Sequence, residues 1–267
     1  MKRGVFKAQK KDGTLHYRSA ITYKGKYISL GSFSSEDKAF LSYCEAHKIL
    51  YDMAETLDSS QPENSVLSFK KRISLLNYRD NNIYIKTPIY LKKNYFIYYL
   101  TRDCSYIFDV DDLFYYSTHS IMRRGGHLFV ADYGAQYNIL SRYGIKNFAV
   151  PGKDYIFVNG NNHDFRYENI EVINRFHGVS KMIVKGKEVY QAKINMNGYS
   201  IVGYYPDDIT AAVAYNKAAE ILIKKGIEKD FPANFIEELQ SNEYRSLYKS
   251  VKVSNHIIDW SPKYKER

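Results

Sequence analysis

The side chains able to do chemistry in this chain are few and scattered. His16, His47, His119, His127 and His256 stand at spacings that match no metal-ligand pattern. Cys44 and Cys104 are too few for a disulfide framework or a four-ligand zinc site, and each is expected to be a small buried apolar side chain. Asp109, Asp111 and Asp112 could bind a cation, although a solvated turn is the simpler reading. Positive charge is the stronger signal. The formal net charge is +10, and residues 1–50 hold ten Lys/Arg against four Asp/Glu, residues 178–226 seven against four, and the long stretch 80–177 only eleven against ten. Two separated basic blocks favour a polyanionic partner, nucleic acid before any other.

The elements that must carry those blocks belong to a folded chain. Hydrophobic residues make up 45% and aromatics 16%, with 27 tyrosines, which excludes intrinsic disorder. A length of 267 residues suggests two domains or three small modules. No stretch reaches the roughly 18 apolar residues of a membrane span, and Met1-Lys2-Arg3-Gly4 leads into polar sequence, so a soluble protein without a signal peptide or membrane partner is expected.

The two basic blocks are copies of one pattern. YRSAITYKGKYISLGSFSSEDKAFLSYCEAHKIL at 17–50 aligns with YQAKINMNGYSIVGYYPDDITAAVAYNKAAEIL at 190–222 through one single-residue gap. Tyr17 falls on Tyr190, Gly25 on Gly198, Gly31 on Gly203, Ala39 on Ala211, Tyr43 on Tyr215 and Ala46 on Ala218. In each copy, alternating strands flank a turn, Lys24-Gly25 in the first and Asn197-Gly198 in the second, the latter expected to supply two left-handed positions. A helix follows, entered by a capping-box-like Ser34 with Asp37 in one copy and by Pro206-Asp207-Asp208 in the other. Ala39, Tyr43, Ala46 and Leu50 recur at helical spacing, as do Ala211, Tyr215, Ala218 and Leu222. Each copy reads as about three strands and one helix, with the small alanine letting the helix lie close on the sheet.

Gly178-Val179, the Tyr190 to Ile194 strand, Gly203 before an aromatic, the Ala211 to Ala219 helix and the closing Phe231-Pro232-Ala233-Asn234-Phe235 together resemble the ethylene-response-factor-type DNA-binding domain of plants, found also in phage and bacterial homing endonucleases. The match covers about 178–235. The first copy, from Gly4-Val5 to Leu50, is similar but lacks the doubled alanine and the closing asparagine. The resemblance implies a three-stranded sheet laid in the DNA major groove with the helix behind it. Carried over to this chain, it points to Lys181, Lys185, Lys187, Lys193 and Asn195, and in the first copy to Lys7, Lys10, Arg18, Lys24 and Lys26. Lysine where the family has arginine suggests phosphate anchoring more than bidentate guanine readout. Three phosphates neutralised per module would give a log–log salt slope of about −5.

Between the copies, 55–74 reads as a polar linker, followed by Tyr- and Ile-rich runs such as Ile83-Tyr84-Ile85 and Tyr95 to Leu100 that read as strands. The order of Val110-Asp111-Asp112, a hairpin, a helix near 136–143, and Asn159-Gly160-Asn161 running into Asp164, Arg166, Asn169 and Ile170 resembles the HNH nuclease domain over about 100–177. That family implies a histidine general base preceded by a metal ligand. The alignment puts that pair on Ile156-Phe157, neither of which can bind a metal or accept a proton. His177 falls near the seat of the third ligand, and His163 with Asp164 is the place for a displaced site.

The fold class expected is α+β: two small three-stranded-sheet-plus-helix modules, 1–54 and 178–235, flanking a degenerate HNH-like ββα middle domain over 75–177, with a helical tail over 236–267. The function expected is binding of double-stranded DNA by a phage or mobile-element protein derived from a homing endonuclease, working in the cytoplasm of a bacterial host without catalytic residues, metal or cofactor. The alternative is inhibition of a host defence or regulatory protein complex. Self-association is compatible with either.

Overall fold

In a computed structural model of the chain, which describes residues 1–261 apart from 60, 63 and 148, each copy of the repeat folds as a three-stranded antiparallel sheet under one helix. The last six residues of the tail, 262–267, lie outside the described residues. The class is α+β: the described residues form four three-stranded sheets, one two-stranded ribbon and a few helices. The chain divides into two units, one made of Met1–Ile139 with Asn159–Asn169, the other of Leu140–Val158 with the chain from Ile170 onward. The residues read as one middle domain, 75–177, are therefore distributed over both.

The first unit begins with β1 (Val5–Gln9), β2 (Leu15–Tyr23) and β3 (Lys26–Phe33), paired in that order, and α1 (Glu36–Tyr51). Lys24 at φ 47° and Gly25 at φ 75° make the two-residue turn, the pair of left-handed residues whose turn matches the right-handed twist of the flanking strands. Ser35 rather than Ser34 caps α1, its hydroxyl accepting from Lys38 N at 3.3 Å, because the cap must stand immediately before the first helical residue. Ile21, Ile28 and Leu30 from the sheet meet Tyr43, Ala46, Ile49 and Leu50 from the helix.

Where the sequence reading ran a linker to residue 74, the chain forms α2 (Phe69–Asn81), capped by the Ser68 hydroxyl on Lys71 N. Its apolar period is masked because Arg72, Ser74, Asn77 and Arg79 are buried beside Ile73, Leu75, Leu76 and Tyr78. Each buried polar group has its partner. Asn77 Nδ2 donates to Ile83 O at 2.7 Å, Arg72 pairs with Glu55 at 2.7 Å, and Arg79 Nη1 donates to the carbonyls of Ile49, Asp52 and Glu55 at 2.9, 3.0 and 2.8 Å. The last three bonds gather carbonyl groups at and beyond the end of α1, where the helix carries its negative pole.

Ile83 to Ile85 is not a strand, since Asn82 turns the chain out of α2 in the left-handed conformation at φ 59°. The next sheet is β4 (Ile89–Leu91), β5 (Tyr95–Thr101) and β6 (Cys104–Asp109), followed by α3 (Leu113–Thr118). β7 (Ile121–Arg124), β8 (His127–Asp132) and β9 (Ala135–Asn138) complete a further sheet. The helix expected near 136–143 is instead β9 and a 3₁₀ turn over Ile139–Tyr143, because Tyr133 and Gly134, at φ 46° and 82°, form a hairpin turn that sends the following residues back along β8.

The second unit holds a two-stranded ribbon, β10 (Tyr155–Phe157) with β11 (Ile170–Val172), and the second copy of the repeat. That copy is β12 (Val179–Val184), β13 (Lys187–Asn195), β14 (Tyr199–Tyr205) and α4 (Asp208–Lys224), whose cap is Asp207 accepting from Thr210 N at 2.6 Å. The tail then forms α5 (Ser241–Ser250) and α6 (Asn255–Ile258), with Val251, Val253 and Ile257 buried in the α4 core.

The copies agree in details that the alignment did not use. Each has a β-bulge at the same place, after Ser19 in one and after Ala192 in the other. Each also opens on a left-handed glycine, Gly4 at φ 71° and Gly178 at φ 72°, over which the ring of Tyr43 or Tyr215 lies. Gly4 O accepts from Ala20 N at 2.9 Å and Gly178 O from Lys193 N at 2.7 Å. The copies differ at the hairpin. Lys24-Gly25 is a two-residue turn, whereas β13 and β14 are joined by the three residues Met196, Asn197 and Gly198, of which only Gly198 has a positive φ, at 143°. The expected pair of left-handed positions occurs instead at Lys185 and Gly186, φ 52° and 75°, between β12 and β13.

Candidate nucleic-acid interface

Strand alternation decides which basic residues share a face. In β13 the even-numbered Ala192 and Ile194 are fully buried against α4, so Lys187, Val189, Gln191, Lys193 and Asn195 point to the open side. Residues directly opposite one another share a face, which adds Tyr199, Ile201 and Tyr204 from β14 and Ser180, Met182 and Val184 from β12. Gln191 Nε2 donates to Tyr204 Oη at 2.7 Å, tying the middle of the face together. No carboxylate stands on it. Lys181 pairs with Tyr190 and so lies on the α4 side, where the Glu188 carboxylate at 2.9 Å holds its ammonium above the ordinary lysine value. Lys185 sits in the hairpin turn.

In the first copy the lysines are spread differently. Arg18 pairs with Phe6, which is 48% exposed, on the face away from α1, whereas Lys7 pairs with Tyr17 on the α1 side. Lys10 lies in the β1–β2 turn. Lys24 Nζ donates to Asn82 Oδ1 at 2.5 Å and to Arg79 O at 3.3 Å, and Lys26 stands over the Tyr84 ring at 5.3 Å. Lys24 thus binds the C-terminal end of α2, and Lys26 packs on a ring just beyond it. Of the five residues carried over to this copy, Arg18 alone is placed on the open sheet face, and in neither copy do all five carried-over residues share one face. The exposed tyrosines Tyr27, Tyr199 and Tyr204 are not among the residues read from the sequence; period-2 alternation along β14 links Tyr199 with Ile201 but places Tyr204 on the opposite face, and only the β-bulge at Ala192/Lys193 brings Tyr204 to the open side.

The closing asparagine of the second copy is structural. Asn234 N donates to Asn216 Oδ1 and Asn216 Nδ2 to Asn234 O, both at 2.8 Å, while Asn234 Oδ1 accepts from His177 N at 2.7 Å and Asn234 Nδ2 donates to His177 O at 3.0 Å. Helix, sheet entry and closing segment are locked by one residue. In the first copy the place of Asn216 is taken by Cys44, so both halves of this clamp are missing together. Cys44 is exposed, contrary to expectation, because it stands where no closing segment covers the helix; Cys104 is buried. The first copy is closed by the next helical position instead, Glu45 accepting from Val66 N at 3.1 Å and Leu67 N at 3.0 Å.

The residues singled out by the nuclease resemblance are occupied in holding their loops. Asp164, 2% exposed, accepts from Arg166 Nε at 2.9 Å, Arg166 Nη2 at 2.7 Å and Asn159 Nδ2 at 3.0 Å. Burial pushes its carboxyl pKa up, and the Arg166 bonds more than offset this, leaving it below the ordinary carboxylate value. His163 Nδ1 lies 2.9 Å from Ser105 O and its ring stacks on Tyr106 at 4.7 Å. Asn169 Oδ1 accepts from Asn159 N at 2.8 Å. Asp109 accepts from Tyr167 N at 2.7 Å across 58 positions and Asp112 is 2% exposed, so this carboxylate cluster is tied into the fold rather than standing in a solvated turn. Burial pulls the His177 imidazole pKa down. Ile156 and Phe157 lie on β10, opposite Glu171 and Ile170. Among the described residues, no three His, Cys, Asp or Glu side chains are grouped as a metal site requires, and no helix is long and apolar enough to cross a membrane. Comparison with protein-family models, with curated proteins and with solved structures gives no match.

Proposed function

We propose that the protein binds double-stranded DNA through the open face of β12–β14 and does not cut it. The observation that carries this reading is the acid-free face itself: Lys187, Lys193 and Asn195 beside Tyr199 and Tyr204, with neither lysine ion-paired among the described residues. Lysines anchor phosphates, and the tyrosines and Asn195 offer contacts to sugar and base edges. With Lys185 in the adjoining turn, about three phosphates would be neutralised, so the log–log salt slope should be near −3 rather than the −5 expected when both copies are counted. The double variant Lys187→Ala/Lys193→Ala should weaken duplex binding at least about tenfold and flatten the slope by about 2. Lys181→Ala, on the ion-paired side, should leave both nearly unchanged. Gel-shift titrations at several salt concentrations measure this, and an unaltered double variant would sink the reading.

Descent from an HNH nuclease rests on the Asn159 to Ile170 run, since the helix of the expected order is replaced by β9 and a 3₁₀ turn, and loss of activity follows from Ile156 and Phe157. Supercoiled plasmid incubated with the protein and magnesium or manganese should stay supercoiled, because isoleucine and phenylalanine have no atom to ligate a metal or take a proton from water. Nicking that disappears in a His163→Ala variant would overturn this.

One observation favours a second reading, a phage protein that seizes a host protein complex. Met182, Val184 and Ile201 are exposed on the same face as the lysines, and apolar and aromatic side chains are typical of the centre of a protein interface. A stoichiometric complex recovered from host lysate after exhaustive nuclease digestion, with no duplex binding by the purified protein, is the result that would select it.

A further inference from the structure

The second unit contains a cleft of about 530 Å³ that shares Lys193, Asn195 and Tyr199 with the open sheet face and extends beyond it. Its walls come from segments far apart in sequence: the turn at Val150–Asp154, the sheet entry at Asn174–Ser180, the β13–β14 hairpin and the closing segment Lys229–Pro232. That volume is within the range of small-ligand sites. Phe176 and Phe231, both buried, give it a rigid apolar lining, and Tyr199, 78% exposed, stands at its rim. Three lysines reach it. Lys229 is committed to Asn195 O at 2.8 Å, whereas Lys153 and Lys193 have no side-chain partner among the described residues. Of the two carboxylates, Asp154 is occupied by Val150 N at 2.8 Å and Asn174 Nδ2 at 2.9 Å, which leaves Asp230 as an available acceptor.

This combination suits one ligand class. An apolar ligand would leave two ammonium groups unused, and a bare phosphate would leave the aromatic walls unused. A nucleotide uses both, its phosphate between the lysines and its base against a ring. We propose that the cleft takes a single nucleotide, with phosphate bound by Lys153 and Lys193 and the base received by Tyr199 and the apolar lining. The ligand has two sources, a free nucleoside monophosphate or an unpaired nucleotide of a DNA strand. The second source rests on the DNA reading above, because Lys193 and Tyr199 belong both to the cleft and to the sheet face, so a strand held on that face passes the cleft mouth.

Calorimetric titration of the full chain separates these possibilities with four probes: inorganic phosphate, dAMP, a matched duplex, and the same duplex carrying one unpaired adenine. The duplex with the unpaired base should bind about tenfold tighter than the matched one, the contribution of one stacked base. Lys153→Ala should remove most of that advantage while matched-duplex binding stays unchanged, since Lys153 lies off the sheet face. If dAMP binds, Lys153→Ala weakens it about tenfold and no duplex binds, the cleft stands with a free nucleotide as its ligand and the DNA reading falls. Phosphate binding as well as dAMP, equal affinity for the two duplexes without dAMP binding, or a Lys153→Ala variant that keeps the full preference would each overturn the proposal.

Discussion

Gly178→Ala should lower the thermal unfolding midpoint of the second unit by about 10 °C. A Cβ at this position would stand 2.5 Å from Lys193 O and 2.5 Å from Tyr215 Cε2, with the backbone at φ 72°. Two costs combine. The left-handed conformation disfavours alanine by about 1–2 kcal/mol. The overlap adds about 1–3 kcal/mol, because Tyr215 is 1% exposed with no room to retreat and the carbonyl is fixed in the sheet. Gly186→Ala separates the two costs, since Gly186 has the similar φ of 75° with nothing within 4 Å of a new Cβ. It should cost only the conformational part. Equal losses in the two variants, read by thermal or denaturant unfolding, would show that the close approach of Tyr215 contributes nothing. Gly4 repeats the arrangement, with Ala20 O at 2.7 Å and the Tyr43 ring closer still, so Gly4→Ala should destabilise the first unit in the same way.

Arg79→Met should destabilise the first unit by about 3 kcal/mol, read as a shift in the denaturant midpoint with little change of slope. The Arg79 side chain is 5% exposed and gives three hydrogen bonds to the carbonyls of Ile49, Asp52 and Glu55. Methionine keeps much of the volume and loses every donor, so the cost measures carbonyls left unpaired beneath α2 more than lost packing. Lys48→Ala is the contrasting variant. Lys48 pairs with the Glu55 carboxylate at 2.7 Å, whereas Arg79 bonds the Glu55 backbone carbonyl; the Lys48 side chain is 64% exposed, and removing it should leave stability nearly unchanged. A loss as large as that of Arg79→Met would mean that an exposed ion pair at the end of α1 matters as much as the buried bonds to its carbonyls.

The repeat explains how much of the fold could be read without coordinates. Hairpin turns at Lys24-Gly25, helix starts at Asp207 and near Ser35, and the Ala39–Tyr43–Ala46 and Ala211–Tyr215–Ala218 faces follow from rules that act over four or five residues. Chain-local physics also fixed the glycine before each first strand, although only the structure gave its reason, the tyrosine ring lying across it. Errors came where local rules compete. Asn197-Gly198 reads as a two-residue turn, but the register of β13 and β14 leaves three residues between Asn195 and Tyr199.

By itself the sequence determined the α+β class, the duplicated sheet-and-helix pattern, the basic character of both copies, and the absence of an acid or base at Ile156 and Phe157. Tertiary structure alone decided which cations are available. Lys24 is held at the end of α2, a helix hidden because Arg72, Ser74, Asn77 and Arg79 make its inward face look polar, Lys26 lies over Tyr84 just beyond it, and Lys181 is turned to the opposite face from Lys187 and Lys193. It alone also assembled the cleft, whose Lys153 and Phe231 are 78 positions apart. The physical reason is common to these cases. A polar side chain is paired or free according to partners supplied by distant parts of the chain, and no spacing rule can name them before the backbone has closed.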